Sequence, residues 1–291
     1  MKSFLLLFLS FTIFASEIKL IDIDGIKYRI EKNPYTGIFV KKENKYLLYE
    51  GYYKNGIKNG IWKYYYPQKN KIYEKITFKN GKPENYEYFF PNGKKSNLPV
   101  FVSKPIKNSL NQTEKIKITV SSHIKSNSGN NYNKENLTDK NLKTAWVPKS
   151  KSRIFTINAP EGLYLKGYGF VIFNGYLKNK KLWKYNSRIE MMKVYLNNKP
   201  IGYVYLEDIM KPQKFFVNTK GIEGTLKFEI ISVYKGQKYP QDVAISEIYA
   251  IDYSDCIRGD ETEAELFCQG DNADENGYCL EYSYCGDSDS F

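Results

Sequence analysis

Aromatic, amide and basic side chains crowd the stretch between residues 174 and 188 of this 291-residue sequence. An aromatic ring packs against the apolar face of a sugar, while amide and charged groups hydrogen-bond the sugar hydroxyls. Arginine also suits a bidentate contact with a carboxylated sugar. The sequence therefore predicts a glycan-binding loop formed by Asn174, Tyr176, Lys178, Trp183, Tyr185, Asn186 and Arg188, with Lys238, Tyr239 and Asp242 along its rim.

The same side chains have a second interpretation, in which buried hydrogen bonds lock a long loop. The sequence does not separate binding from architecture for Asn186 and Arg188. It favours binding for Tyr176 and Trp183, whose rings offer apolar faces.

The sequence offers few residues that could form a catalytic site. The only histidine is His123, which argues against a histidine metal cluster and leaves any Ser–His–Asp triad dependent on one residue. All of the cysteines, namely Cys256, Cys268, Cys279 and Cys285, follow residue 255, so the main body has no thiol nucleophile. We expect a binding protein without catalytic residues.

Charge is distributed unevenly along the chain. The net charge is +12, but residues 254–291 carry a net of −10, which leaves +22 on the rest. A basic body favours an anionic partner, although abundant Lys, Asn, Ile and Tyr would also follow from AT-rich coding sequence. Residues 272–277 match the start of a calcium loop, but Ser283 replaces its final glutamate, so a solvated acidic tail is the better prediction.

The first sixteen residues read as a secretory signal peptide. Lys2 precedes the short apolar run from Phe4 to Ala15, and the rest of the chain has no stretch of transmembrane length. Export to the surface, periplasm or medium of a bacterium would let the four cysteines form disulfides, in any of three pairings. Export also argues against a nucleic-acid partner.

Two similar segments lie in residues 17–95. Residues 49–67 and 73–91 repeat with a period of 24 to 25, and each contains an Asn-Gly pair typical of a tight hairpin turn. Stacked hairpins predict a single-layer antiparallel sheet. Over residues 34–95 the segments resemble MORN-variant repeats, a resemblance that implies a structural or protein-interaction platform.

Residues 96–116 have mixed composition and two prolines, so we expect a linker there. Many short strand-like runs separated by turn residues follow from residue 117 to 253 and predict a jelly-roll β-sandwich. The predicted fold class is therefore all-β.

Four ordered motifs mark the second half of the chain: NLTDKNLKTAW at 136–146, NGYLK at 174–178, YNSR at 185–188 and VYKGQKYPQDVAISEI at 233–248. With them, residues 117–252 resemble a discoidin-like domain, and more narrowly the NADase-type glycan-binding domain. The resemblance implies carbohydrate binding without enzymatic activity. The expected partner is a glycan, which the basic body would allow to be anionic.

The resemblance also implies a structural calcium ion at Asp139, Thr144 and Glu247, whose oxygen ligands suit a hard cation. The alternative is a capped turn with a Glu–Lys pair. No other cofactor is expected. The overall prediction is an exported, non-enzymatic carbohydrate-binding protein, and the alternative is an envelope adaptor that binds a protein partner through its repeat sheet and sandwich.

Overall fold

A computed structural model describes residues 20–23, 26–29, 34–106, 113–114, 116–125, 131–158 and 167–251. Strands dominate these residues, together with one short α-helix and one 3₁₀ helix. The all-β prediction is therefore confirmed. The signal segment, the acidic tail and the four cysteines lie outside the described residues, so their roles stay predictions.

The N-terminal part is a chain of hairpins. Strands β1 (Leu20–Ile23) and β2 (Ile26–Arg29) pair with each other. The repeat sheet follows as a six-stranded meander of β3 (Gly37–Glu43), β4 (Tyr46–Lys54), β5 (Ile57–Tyr65), β6 (Ile72–Lys79), β7 (Lys82–Phe89) and β8 (Lys95–Ser96), in sequential order. Positive φ angles at Asn55, Gly56, Asn80 and Gly81 give the tight turns that the Asn-Gly pairs predict.

One face of the repeat sheet is an aromatic layer centred on Trp62, which is fully buried. The indole packs edge-on to Tyr53 at 4.9 Å between ring centroids and lies over the backbone of Gly51 on the neighbouring strand. A side chain at Gly51 would place its Cβ 2.2 Å from the indole. The corresponding pair in the next repeat is Lys75 and Tyr86, and Tyr86 is 37% exposed.

Two sheets form the sandwich. The first contains, in spatial order, β10 (Lys104–Pro105), β17 (Gln213–Asn218), β14 (Gly167–Asn174), β20 (Ile245–Ile251) and β11 (Thr113–Glu114). The second contains β12 (Lys117–Val120), β13 (Ile154–Asn158), β18 (Thr225–Tyr234), β15 (Asn186–Leu196), β16 (Lys199–Tyr205) and β9 (Val100–Val102), with β19 (Tyr239–Val243) parallel to β15. Helix α1 (Lys180–Tyr185) joins β14 to β15, and the 3₁₀ helix spans Lys134–Leu137.

Aromatic and aliphatic side chains from both sheets fill the core. Phe228 stacks on Phe155 at 4.9 Å and meets Phe170 edge-on at 5.6 Å. Trp146 is fully buried beside them and donates its indole N–H to the carbonyl of Ser122.

The expected linker at residues 96–116 is partly built into the sandwich. Val100–Val102 pairs with β16 in parallel, and Lys104–Pro105 pairs with β17. Phe101 packs against the core, over Gly202, where a side chain would meet the Phe101 ring at 2.6 Å. Because prolines and polar residues lie on both sides of these short strands, the sequence pattern does not reveal them.

The repeat sheet and the sandwich share a buried aromatic junction. Tyr66, fully buried at the end of the first repeat, meets Tyr205 of β16 at 4.6 Å between centroids. Phe90, from the end of the second repeat, meets Tyr203 at 4.9 Å. Each repeat therefore ends on an aromatic residue that docks against the same strand of the sandwich.

A lysine completes this junction. The Lys69 ammonium lies 3.1 Å from the Glu190 carboxylate and sits over the rings of Tyr205 and Tyr234, at 4.9 and 5.6 Å from their centroids. The Tyr234 hydroxyl in turn donates to the Leu206 carbonyl at 2.9 Å. Because the junction combines apolar contact with a half-buried ion pair, the two parts should unfold together.

Replacing Gly51 with alanine should destabilise the protein by about 1–3 kcal/mol, the usual cost of inserting atoms into a packed core. The added methyl group would collide with the Trp62 indole. Urea unfolding of the full chain measures the loss. In the background of Trp62→Ala the collision is gone, so Gly51→Ala should then be nearly neutral; an unchanged penalty would contradict this account.

Candidate functional site

Two loops meet at one end of the sandwich, residues 174–186 and residues 235–242. The Gln237 N–H donates to the carbonyl of Lys184, and the Lys238 N–H donates to that of Tyr185. Gly236 allows this approach, since a Cβ there would lie 2.3 Å from the Tyr185 carbonyl oxygen. The backbone thus joins the two loops into one base.

Asn174 and Asn186 hold this base together. Asn174 is 1% exposed, and its amide both donates to the Ile189 carbonyl and accepts from the Ile189 N–H, each at 2.8 Å. Asn186 donates to the carbonyl of Leu182 in helix α1 at 2.9 Å. The structure therefore gives both amides an architectural role and leaves them little capacity for a ligand.

Arg188 is the central anchor of the loop end. Its guanidinium makes two hydrogen bonds to the Asp208 carboxylate, at 2.8 and 2.9 Å, and stacks 4.6 Å from the Trp183 ring centroid. It also donates to the Asn186 carbonyl at 2.8 Å. The carboxylate that Arg188 binds is therefore that of Asp208 in the same chain. The expected contact of Arg188 with a carboxylated sugar is not what the structure shows.

Tyr176 and Trp183, for which the sequence favours binding, also serve the packing. Tyr176 is 7% exposed and donates its hydroxyl to the Lys143 carbonyl at 3.1 Å. Trp183 is half-buried and donates its indole N–H to the Asn174 carbonyl at 3.0 Å. Little ring surface of Tyr176 is left for a ligand.

Four exposed or half-exposed side chains remain together at the loop end, and we call them the tyrosine–lysine patch: Tyr185, Tyr239, Lys181 and Lys238. The two tyrosine rings are nearly perpendicular, with centroids 6.4 Å apart. The Lys238 ammonium lies 5.7 Å from the Tyr185 centroid and 5.3 Å from that of Tyr239, and Lys181 lies 5.6 Å from Tyr185.

The sequence prediction missed Lys181. Its signal is the spacing of four residues to Tyr185, which brings two side chains to the same face of a helix. Helix α1 is short, and Asn179 caps it by accepting from the Leu182 N–H.

The predicted Lys178 and Asp242 lie outside the patch. Lys178 is exposed before the cap of α1. Burial raises the pKa of the half-buried Asp242, and the charge of Arg153 partly offsets this effect. Among the described contacts, none joins either residue to the two tyrosines.

The predicted calcium ligands come together at a different place. Thr144 donates to the Asp139 carboxylate at 2.7 Å, and the Asn141 N–H donates to Asp139 and to Glu247, at 2.9 and 2.7 Å. The Tyr249 hydroxyl donates to Glu247 at 2.6 Å. A capped turn is thus present, but within the described part of the chain Glu247 pairs with Tyr249 and not with a lysine.

The environment of the Glu247 carboxyl is relevant to cation binding. Burial, together with the neighbouring Asp139 carboxyl, raises the pKa of Glu247 to about 8. Two facing carboxyls in a desolvated place fit a hard cation, which would let both ionise. The described residues contain no cluster of three or more His, Cys, Asp or Glu side chains, so further ligands would have to be hydroxyl, carbonyl or water oxygens.

A family model matches the sandwich region. Residues 109–251 match the model described as the NAD glycohydrolase translocation F5/8 type C domain. The match supports a discoidin-like domain there. The match agrees with the resemblance predicted from the four motifs, whereas the MORN resemblance of the repeat sheet stays a prediction.

No curated protein matches the chain significantly, and the solved structures similar to it are distant in sequence. One solved structure contains the CBM32-1 and CBM32-2 domains of Clostridium perfringens ZmpB in complex with GalNAc: identity is 11%, TM-score 0.36, and the match covers 56% of this chain and 42% of that chain. A two-domain protein of unknown function from Bacteroides fragilis is 19% identical, with a TM-score of 0.29 and coverage of 46% and 47%. The chain spans less than half the length of these solved structures.

Breaking the Arg188 anchor should destabilise the discoidin-like domain. Arg188→Met removes both bonds to Asp208; because the Asp208 side chain is 38% exposed, the loss should stay below that of a fully buried pair, at about 1–3 kcal/mol in urea unfolding. Asp208→Asn, which keeps a hydrogen-bond acceptor, is the milder control. A variant Arg188→Met with wild-type stability would contradict the anchor role.

Calcium should raise the melting temperature of the protein, because an ion that binds only the folded state stabilises it. Glu247→Gln and Asp139→Asn should abolish the calcium-dependent shift by removing the charged ligands. Lys178→Gln, at the loop end, should keep it. An equal shift in all variants would place the ion elsewhere, and no shift in the wild type would exclude calcium from this pair.

Proposed function

We propose that this protein is an exported, non-enzymatic carbohydrate-binding protein that docks on glycans through the tyrosine–lysine patch. The observation that carries the proposal is the nearly perpendicular pair of the half-buried Tyr185 and the exposed Tyr239, on a rigid base at the loop end of a discoidin-like domain. The charged and apolar N-terminus supports export. Among the described residues, no helix is long and apolar enough to cross a membrane.

The geometry of the tyrosine pair suits a sugar ring. The two nearly perpendicular rings form a corner. A pyranose can stack on the face of one ring while the edge of the other ring bounds the sugar on one side. Tyr239 is 39% exposed, so part of its ring is free to contact a ligand. Hydrogen bonds between the two loops fix the corner before binding, which reduces the entropy lost on association.

A glycan array probed with the full chain tests the proposal. Wild-type protein should bind, and Tyr185→Ala with Tyr239→Ala should lower the affinity at least tenfold, because each stacked ring contributes about 0.5–1.5 kcal/mol beyond its buried area. The matched variant Tyr185→Phe with Tyr239→Phe keeps both rings and should keep binding. Urea unfolding confirms that each variant is folded.

Two results would overturn the proposal. One is a folded wild-type protein that binds no glycan on the array. The other is undiminished binding by the double alanine variant, which would move the site away from the two tyrosines. Turnover of NAD by the purified protein would contradict the non-enzymatic part, and we expect NAD to remain intact.

A protein-interaction adaptor is the second candidate, favoured by one observation on the repeat sheet. Ile38, Ile61 and Val40 are 72%, 57% and 42% exposed on the face opposite the aromatic layer. Such an apolar surface is typical of protein contact. In pull-downs from the native host, a stoichiometric partner that survives glycan competition and is lost with Ile38→Ser and Ile61→Ser would support the adaptor.

A further inference from the structure

We infer that the tyrosine–lysine patch selects anionic glycans, with Lys181 and Lys238 contacting carboxylate or sulfate groups of a sugar stacked on Tyr185 or Tyr239. This inference rests on the proposed function and names the substrate class of the same site. Lys181 and Lys238 would recognise the negative charge of the glycan, whereas Arg188 is already bound to Asp208.

The charge of the two loops is strongly one-sided. Residues 174–186 and 235–242 contain six lysines and one acidic residue, Asp242. The lysines are Lys178, Lys180, Lys181, Lys184, Lys235 and Lys238, and all six are exposed. A cluster of like charges on a small surface raises the local concentration of anions.

Neighbouring acidic groups do not cancel this charge. The Asp208 carboxylate is held by Arg188, and Asp242 is half-buried near the charge of Arg153. Glu190 is paired with Lys69 at the junction. Within the described chain, no salt bridge joins Lys181 or Lys238 to a carboxylate.

Some lysines elsewhere in the chain do have carboxylate partners. On the repeat sheet, Lys63 pairs with Glu50, Lys79 with Glu84 and Lys95 with Glu87. A lysine-rich composition alone would scatter paired and unpaired lysines alike. The loop end instead gathers lysines without a described salt bridge beside the half-buried Tyr185 and the exposed Tyr239.

The distances place the ammonium groups of Lys181 and Lys238 next to the two tyrosine rings. Lys238 sits 5.3 and 5.7 Å from the two ring centroids, within the range of a cation–π contact. Lys181 takes a similar position beside Tyr185 at 5.6 Å. A sugar stacked on either ring would bring its exocyclic carboxylate or sulfate group to the level of these ammonium groups, where charge-assisted hydrogen bonds form.

Matched polymer pairs test the inference with the full chain. Polygalacturonate is compared with its methyl ester, and dextran sulfate with dextran, so that each pair differs in charge but not in sugar backbone. Affinities are measured at low and at physiological salt. We expect the wild type to bind at least one anionic polymer on the order of tenfold more tightly than its neutral mate, with the difference shrinking as salt rises.

Two lysine variants separate a specific site from general attraction. Lys181→Gln with Lys238→Gln should remove most of the preference for the anionic polymer. Lys117→Gln with Lys199→Gln is the control, because it removes the same charge from two exposed residues of β12 and β16 at the other end of the sandwich. The control should keep the preference.

Each contrary outcome has a distinct meaning. Equal binding of charged and neutral polymers, lost with Tyr185→Ala and Tyr239→Ala, would overturn the inference and leave the proposed function standing. An equal loss of the preference for the anionic polymer in both lysine variants would show diffuse electrostatic attraction and overturn the assignment to Lys181 and Lys238. Failure to bind any polymer here, together with a blank glycan array, would overturn the proposed function itself.

Discussion

The contact of Arg188 with Asp208 and Trp183 is the interaction on which the loop end depends. A guanidinium offers five N–H donors in a plane, so one residue can hold a carboxylate, a backbone carbonyl and an aromatic face together. Lysine has neither the plane nor the number of donors. Only four of the 44 basic residues are arginines, and one of them stands where this geometry is needed.

The anchor explains how a helix of six residues keeps a defined position. Such a helix is too short to be stable alone. Trp183, near its C-terminal end, is fixed by Arg188 on its face and by Asn174 through its indole N–H. Tyr185, two residues further along the helix, is thereby held half-buried beside the exposed Tyr239. Rigidity in the buried half of the loop is what makes its exposed half suitable for binding.

The sequence was sufficient for the fold class and the Asn-Gly turns, because local turn chemistry and hydrophobic pattern determine them. It was not sufficient for the role of Arg188, since Asp208 lies twenty residues away and no local pattern joins the two. Val100–Val102 was missed because a three-residue strand between polar flanks has too little periodicity to recognise. Three of the four patch residues, Tyr185, Tyr239 and Lys238, were in the expected set, but their separation from the buried amides needs three-dimensional packing.

The junction gives the repeat sheet a direction. The ends of both repeats, at Tyr66 and Phe90, are committed to the sandwich, and the second repeat has already exchanged the small Gly51 position for Lys75. A further hairpin inserted between β8 and the sandwich would separate Phe90 from Tyr203 and break the buried contacts. A hairpin added before β3 would leave them intact. The array can therefore lengthen only away from the sandwich, and the distance between the patch and the junction would stay constant however many repeats precede it.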